Sequence, residues 1–123
     1  MKKSVLIVDD ELDTVNLTKK FLQLEKINTF TASDGIKAFD ILEQHHHQIG
    51  LILLDIMMPG KSGFTVLDEI KSNQLYNEIK VVLFTVKNLK DFVEKGRELG
   101  ADGYLTKPFS GKTLINYVKR FLD

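Results

Sequence analysis

The sequence has no cysteine, no net charge and no long apolar run, and each absence excludes a class of protein. Without cysteine the chain can form no disulfide, no thiolate metal site and no cysteine nucleophile. Seventeen acidic and seventeen basic residues cancel, so bulk electrostatics support neither nucleic-acid nor membrane binding. No apolar run is long enough for a signal peptide or a membrane span. We therefore expect a soluble, cytoplasmic protein with no membrane partner.

The rest of the composition is that of an ordinary globular domain. A chain of 123 residues can bury a real core, and its hydrophobic fraction of 43% is typical of soluble proteins. We find no internal repeat, linker or low-complexity stretch. We therefore expect one domain over residues 1–123.

Short apolar runs alternate with longer segments of helical periodicity. The runs are apolar throughout, as strands buried on both faces of a parallel sheet require. We predict strands at about 4–8, 28–32, 50–54, 80–84 and 102–106, and helices at about 11–25, 35–46, 63–72, 88–99 and 111–122. In the first helix, Leu17, Phe21 and Leu24 share the face that would rest on the sheet. Strict alternation predicts an α/β fold, a doubly wound parallel sheet with helices on both faces.

Charged and hydroxyl residues end four of the predicted strands. In chain order they are the triplet Asp9, Asp10 and Glu11, then Asp55, Thr85 and Lys107. Because the carboxyl ends of parallel strands lie at one edge of the sheet, these side chains would meet in one cleft. Adjacent carboxylates repel unless a cation neutralises them, and their oxygens suit Mg²⁺. A carboxylate there can also act as a nucleophile and form an acyl phosphate.

Each of these residues also has a plain structural explanation. Asp9 or Asp10 could cap the first helix, although a cap explains one carboxylate better than three in a row. A lone lysine such as Lys107 is usually a solvated surface charge. Pro108, however, favours an extended backbone at Lys107, and a cis bond between them would turn the lysine back into the cleft.

The order and spacing of these motifs resemble those of response-regulator receiver domains of two-component signalling, of the chemotaxis-regulator type. The matching motifs lie at residues 8–11, at 54–59 with Gly63, at 84–85 and at 100–109, and the resemblance covers essentially the whole chain. It implies a flavodoxin-like (βα)5 fold with strand order 2-1-3-4-5. It also implies that the protein is a signalling domain, which catalyses no reaction beyond its own phosphorylation and dephosphorylation.

The resemblance assigns a role to each residue of the cleft. Asp55 would accept a phosphoryl group from a sensor histidine kinase or a histidine phosphotransfer protein. Asp10 and Asp55 would ligate Mg²⁺ directly, Asp9 would act through water, and Met57 would contribute its backbone carbonyl. Lys107 would pair with Asp55 at rest and contact the phosphoryl group afterwards.

Signal output would start from a switch pair, Thr85 and Tyr104, in which the tyrosine ring fills space that the threonine vacates. The surface of the fourth helix, fifth strand and fifth helix would then act on a downstream protein target or output domain. Its expected exposed residues are Lys90, Asp91, Glu94, Lys95, Lys112 and Lys119. We expect no nucleic-acid binding by this domain, and a monomer or a phosphorylation-dependent homodimer. Leu12 and Val15 are the residues expected to dock the kinase.

Three positions depart from the usual receiver pattern. Val86 is bulkier than the small residue that usually follows the switch threonine, and Met57 and Lys87 occupy positions that tune the lifetime of the phosphoryl group. Because a thioether is a weak acceptor, Met57 cannot orient an attacking water, and we expect a long-lived phosphoryl group.

His45, His46 and His47 form a run that invites a metal hypothesis. Consecutive residues of a helix point apart, so the three cannot converge on one ion. A position at the end of the second helix, where a protonated imidazole suits the helix dipole, is the better explanation.

Three alternatives belong to other functional classes. A phosphatase with an aspartyl nucleophile would need a second aspartate where Met57 stands. A flavodoxin-like cofactor carrier would need a phosphate-binding loop where the acidic triplet would repel phosphate. A degenerate receiver that serves as an interaction module is disfavoured because the acceptor, metal and lysine positions are all filled.

Overall fold

A computed structural model of the chain describes residues 3–85 and 90–122. The strands are β1 (Ser4–Val8), β2 (Thr29–Ala32), β3 (Ile49–Asp55), β4 (Lys80–Thr85) and β5 (Gly103–Thr106). The helices are α1 (Leu12–Leu24), α2 (Gly35–His45), α3 (Gly63–Lys71), α4 (Lys90–Glu98) and α5 (Gly111–Leu122), with a 3-10 turn at His46–Gln48. Within the described residues, no helix has the length and apolar character needed to cross a bilayer.

The five strands form one parallel sheet in the order β2-β1-β3-β4-β5, which confirms the predicted topology. Side chains alternate along each strand and fill two separate cores. Val5 and Ile7, for example, pack with residues of α1 and α5, whereas Leu6 and Val8 pack with residues of α2 and α3. Both faces of the sheet are therefore covered, as the uniformly apolar runs require.

The predicted boundaries are close to those of the structure, with two differences that matter for function. β3 and β4 each extend one residue further, because Asp55 pairs with Phe84 and Thr85 pairs with Thr106. Asp55 and Thr85 are thus held within the sheet rather than in the loops that follow it. The predicted start of the fourth helix, residues 88–89, lies outside the described residues.

The outward face of α1 differs from the prediction. The buried residues of α1 are Val15, Thr18 and Leu22. Leu24 is 72% exposed, and Leu17 is also exposed. The polar Thr18 can face the core because its hydroxyl donates to the carbonyl oxygen of Thr14 at 2.7 Å. The expected sheet-facing stripe was therefore wrong for Leu17 and Leu24, which stay on the surface of α1, whereas Phe21 is partly buried and packs against the core.

The three histidines engage in separate contacts at the end of α2. The His45 ring stacks on Phe30 with centroids 4.7 Å apart, and the His46 and His47 rings stack on each other at 4.1 Å. His46 Nδ1 lies 3.1 Å from the carbonyl oxygen of Leu42. These contacts account for the run as part of the helix terminus.

Gly63 lets α3 begin directly against the end of β3. Its N–H donates to the carbonyl oxygen of Ile56 at 2.9 Å, and a Cβ there would lie 2.2 Å from the backbone oxygen of Asp55. Gly60, in the same loop, has a positive φ of 77° but open space around it. The two glycines are thus required for different reasons, close approach at Gly63 and backbone conformation at Gly60.

We expect Gly63→Ala to lower the free energy of unfolding by about 2–4 kcal/mol, because backbone atoms of the strand that carries Asp55 must move. Gly60→Ala is the matched control and should cost about 1 kcal/mol, since it meets backbone strain without a clash. Urea denaturation of both variants measures the difference. Equal losses would show that the close approach to Asp55 is not required.

Candidate functional site

Three carboxylates gather at the carboxyl edge of the sheet. Asp9 follows β1 and is buried, Asp55 ends β3 and is 4% exposed, and Asp10 faces solvent. One oxygen from each lies within 4.8 Å of the others. The topology explains the convergence, because β1 and β3 are neighbours and end at the same level. The predicted cluster is therefore present.

Helix capping does not explain this cluster. The residue before α1 is Glu11, whose side chain makes no capping hydrogen bond to a backbone N–H of the first turn and accepts there only from the Thr14 hydroxyl at 3.5 Å. Asp9 Oδ1 instead accepts from the backbone N–H of Glu11 at 2.9 Å, which holds the turn that separates β1 from the helix. Asp9 thus shapes the loop and keeps its second oxygen for the cleft.

Lys107 is the counter-ion of these carboxylates and is 7% exposed, so it is not a solvated surface charge. Its Nζ lies 2.5 Å from Asp9 Oδ2, 3.1 Å from Glu11 Oε1 and 3.8 Å from Asp55 Oδ2. The expected resting partner, Asp55, is therefore the third-nearest carboxylate rather than the first. The Lys107–Pro108 bond is cis, as the sequence allowed.

The pKa values of Asp55 and Lys107 are both raised, although burial acts on the two groups in opposite directions. Burial is the main cause that raises the pKa of Asp55 to about 7, and the charge of Asp9 adds to it. The Lys107 charge and the Met57 N–H, which donates to Asp55 Oδ1 at 3.3 Å, act in the opposite direction. Burial lowers the pKa of Lys107, but the hydrogen bond that its ammonium donates to Asp9 and the charges of Asp55 and Asp9 leave it raised.

The donor set fits a hard divalent cation. All three clustered side chains offer carboxylate oxygen, and the exposed Asp10 leaves one side open to water, as Mg²⁺ prefers. One lysine compensates less charge than these carboxylates carry, which is consistent with the raised pKa of Asp55. Met57 has its backbone beside Asp55 and its side chain half exposed.

Thr85 and Tyr104 lie on the same face of neighbouring strands. Thr85 is fully buried at the end of β4, and Tyr104 is half-buried on the edge strand β5. In register, Thr85 is opposite Thr106, and Tyr104 is opposite Leu83. The two are therefore diagonal neighbours, close enough for a large side chain to respond to its partner. Burial also raises the pKa of Tyr104.

A model of the response regulator receiver domain matches residues 5–119. The chain belongs to this family. The transcriptional regulatory protein CpxR of Escherichia coli (strain K12) is 36% identical over 118 residues, which cover 96% of this chain and 48% of CpxR. CpxR of Klebsiella pneumoniae (strain HS11286) is 34% identical over 118 residues, which again cover 96% of this chain and 48% of CpxR. The receiver thus spans about half the length of the curated relatives it matches.

Solved structures of receivers share the whole fold. The chemotaxis protein CheY4 of Vibrio cholerae has a TM-score of 0.92 at 26% identity, covering 99% of this chain and 100% of CheY4. The BeF3-activated DrrB receiver domain has a TM-score of 0.84 at 33% identity, covering 99% and 98%. The fold is therefore flavodoxin-like, and the chain is a receiver of two-component response regulators.

The receiver surface of α4, β5 and α5 is only partly as predicted. Lys90, Asp91, Glu94 and Lys95 are exposed on α4. On α5, Lys119 is half-buried and its Nζ lies 2.7 Å from Glu25 Oε1 at the end of α1. Lys112 is exposed but lines the same α1 side. Lys112 and Lys119 thus lie on the side of α5 that faces α1, whereas Tyr117 lies on the side that faces β5.

Tyr117 and Arg97 were missed by reasoning from the sequence. They line a groove of about 270 Å³ over β5, together with Val93 and Tyr104. The Tyr117 hydroxyl accepts from the Tyr104 N–H at 3.1 Å, so α5 holds the edge of the strand. The helical spacing of α5 gives no sign of this bond, because the bond depends on how far the Tyr117 hydroxyl reaches toward β5.

The surface expected to dock a kinase also changes. Leu12 is 70% exposed, as docking requires, but Val15 is 6% exposed and belongs to the core under α1 and α5. Val15 was therefore a wrong choice. The exposed Leu17 borders a groove with Pro108 and Phe109 beside Lys107. Val86 and Lys87 lie outside the described residues.

We expect Asp55→Asn to raise the free energy of unfolding at pH 8 by about 1–3 kcal/mol in the absence of divalent cations. In the folded receiver the pKa of Asp55 is about 7, above its ordinary 3.8, so wild-type stability falls as the pH rises between these values. The amide has no such loss. Urea denaturation at pH 5 and pH 8 should show the larger gain at pH 8, and an equal gain at both would contradict the raised pKa.

Proposed function

We propose that this receiver accepts a phosphoryl group on Asp55 from the phosphohistidine of a sensor histidine kinase or a histidine phosphotransfer protein. The observation that carries the proposal is the buried Lys107 ammonium within 4 Å of three carboxylates, Asp55 among them. Such a cleft combines a nucleophile with a cation that can move to the oxygens of an incoming phosphoryl group. The family supports this reading.

Asp10 and Asp55 would hold Mg²⁺ directly, Asp9 through water, and Met57 by its backbone carbonyl. When bound, the ion would offset the repulsion between the carboxylates and the phosphoryl oxygens. The fit rests on the donor set, in which every clustered side chain supplies carboxylate oxygen.

The residues of the chain would act as follows. An ionised Asp55 oxygen attacks phosphorus, the phosphorus–nitrogen bond to histidine breaks, and the imidazole keeps the electron pair. Lys107, whose Nζ already lies 3.8 Å from Asp55 Oδ2, then leaves Asp9 and Glu11 and contacts a phosphoryl oxygen, because the phosphoryl group places strong acceptors and more negative charge on Asp55. The receiver would catalyse this transfer to itself and the later hydrolysis of its aspartyl phosphate, in which water takes the phosphoryl group and the Asp55 carboxylate is released, and no other reaction.

The donor protein would dock on α1 beside the cleft. The exposed Leu12 and Leu17 flank the acidic triplet, and the groove of Leu17, Pro108 and Phe109 opens next to Lys107. An apolar stripe at this place would seat a helix of the donor with its histidine over Asp55.

Output would follow from a population shift between two packings of Thr85 and Tyr104. The phosphoryl group would draw the Thr85 hydroxyl, and the Tyr104 ring would move into the vacated space and alter the groove between α4 and α5. That surface would act on a protein target or an output domain. The receiver itself would be a monomer or a phosphorylation-dependent homodimer. We propose residues 1–123 as one cytoplasmic receiver without nucleic-acid contacts of its own, although CpxR is named a transcriptional regulatory protein.

Acetyl phosphate tests the phosphoacceptor. With Mg²⁺, the wild type should gain the mass of one phosphoryl group, and Asp55→Asn or a chelator should abolish the gain. Asp13→Asn, which changes an exposed aspartate in the first turn of α1, is the matched control and should react normally. After removal of the donor, the adduct should persist for minutes because Met57 cannot orient water.

A phosphoryl mass on Asp55→Asn would overturn the assignment of the acceptor. Loss of the wild-type adduct within seconds would contradict the role given to Met57.

Thr85→Ala tests the coupling. We expect the variant to be phosphorylated as fully as the wild type, because Asp55 is untouched, but its Tyr104 ring signals should no longer shift in NMR spectra. Thr106→Ala, which removes the hydroxyl directly opposite Thr85, is the matched control and should keep the shift. A full Tyr104 response in Thr85→Ala would refute the switch.

A further inference from the structure

Phe84 lies between the proposed phosphoacceptor and Lys107. In the sheet, Asp55 pairs with Phe84, and Phe84 pairs with Leu105, two residues before Lys107. Side chains alternate along strands, so Phe84 and Asp55 share one face of the sheet. β4 separates β3 from β5, and Lys107 must therefore cross β4 to reach the carboxylates. The residue under that crossing is Phe84.

The contact between the two side chains is direct. Lys107 Nζ lies 5.1 Å from the centroid of the Phe84 ring, within the range of a cation–π interaction. Phe84 is fully buried, and Phe109 packs on it with ring centroids 5.0 Å apart. The core and the Phe109 ring thus hold the Phe84 ring in place, and the Lys107 ammonium lies over its face.

An aromatic face suits an ammonium that has to move. It attracts the cation by its quadrupole without taking any of the three N–H donors. Those donors stay available for Asp9 and Glu11 now, and for phosphoryl oxygens on Asp55 later. An aliphatic residue would bury the ammonium equally and return no attraction.

We propose that Phe84 is a positioning residue for Lys107, holding its ammonium over β4 while it passes from Asp9 to the phosphoryl group on Asp55. The proposal rests on the proposed function. The plain alternative is that Phe84 fills the core under α1 and α5, where it also packs. In that case its replacement would lower stability without regard to Lys107.

A double-mutant cycle on the metal-free protein separates the two readings. Phe84→Leu, Lys107→Gln and the double variant are compared with the wild type by urea denaturation. In the control cycle Val82→Ala replaces Phe84→Leu, because Val82 is buried in the same strand and the same core. We expect Phe84→Leu to change the unfolding constant about fivefold less when Lys107 is glutamine, and Val82→Ala to act equally in both backgrounds. Additivity in both cycles would overturn the proposal.

The reaction with acetyl phosphate and Mg²⁺ supplies the second readout. Phe84→Leu should form the phosphoryl adduct about five- to tenfold more slowly than wild type, while Val82→Ala keeps the wild-type rate. Equal rates for both variants would refute positioning while leaving Asp55 as the acceptor. If the wild type itself forms no adduct, the proposed function fails, and the metal-free cycle still decides the role of Phe84.

Discussion

The ion pair of Lys107 with Asp9 and Glu11 joins residues near the two ends of the sequence, and it lies at the carboxyl edge of the sheet. Asp9 and Lys107 are almost wholly buried, and removal of one partner of such a pair costs several kcal/mol because the other charge is left without compensation. The strand order and the loop that Asp9 shapes bring these charges together, and the close approach at Gly63 lets α3 begin against the strand end that carries Asp55. The rest of the site is arranged around this contact.

The same contact explains why the site is receptive. Burial, to which the charges of Asp9 and Asp10 add, leaves Asp55 with a raised pKa, although its carboxylate is one of three within 4 Å of the Lys107 ammonium. A cation or a change of protonation relieves this excess of negative charge. The excess negative charge of the resting cleft therefore contributes both to the raised pKa of Asp55 and to the proposed affinity for magnesium.

The sheet could be predicted from the sequence because strands buried on both faces leave apolar runs such as residues 51–54, which are too short for a helix and alternate with longer segments of helical periodicity. The site followed from the same reasoning, since strand ends in a parallel sheet share an edge. The face of α1 could not be predicted, because Thr18 satisfies its hydroxyl within the helix and so competes with Leu17 for the core. Contacts made by long side chains could not be predicted either. The sequence does not indicate that Lys119 pairs with Glu25, or that the Lys107 ammonium lies over the ring of Phe84.

A crystal structure with Mg²⁺ and beryllofluoride would show whether Lys107 moves from Asp9 to a phosphoryl group on Asp55. We expect the fluoride complex on Asp55, the ion on Asp10 and Asp55, and Lys107 Nζ within hydrogen-bond distance of a fluorine. A structure in which Lys107 still contacts Asp9 and Glu11, or in which the fluoride complex lies elsewhere, would contradict this expectation.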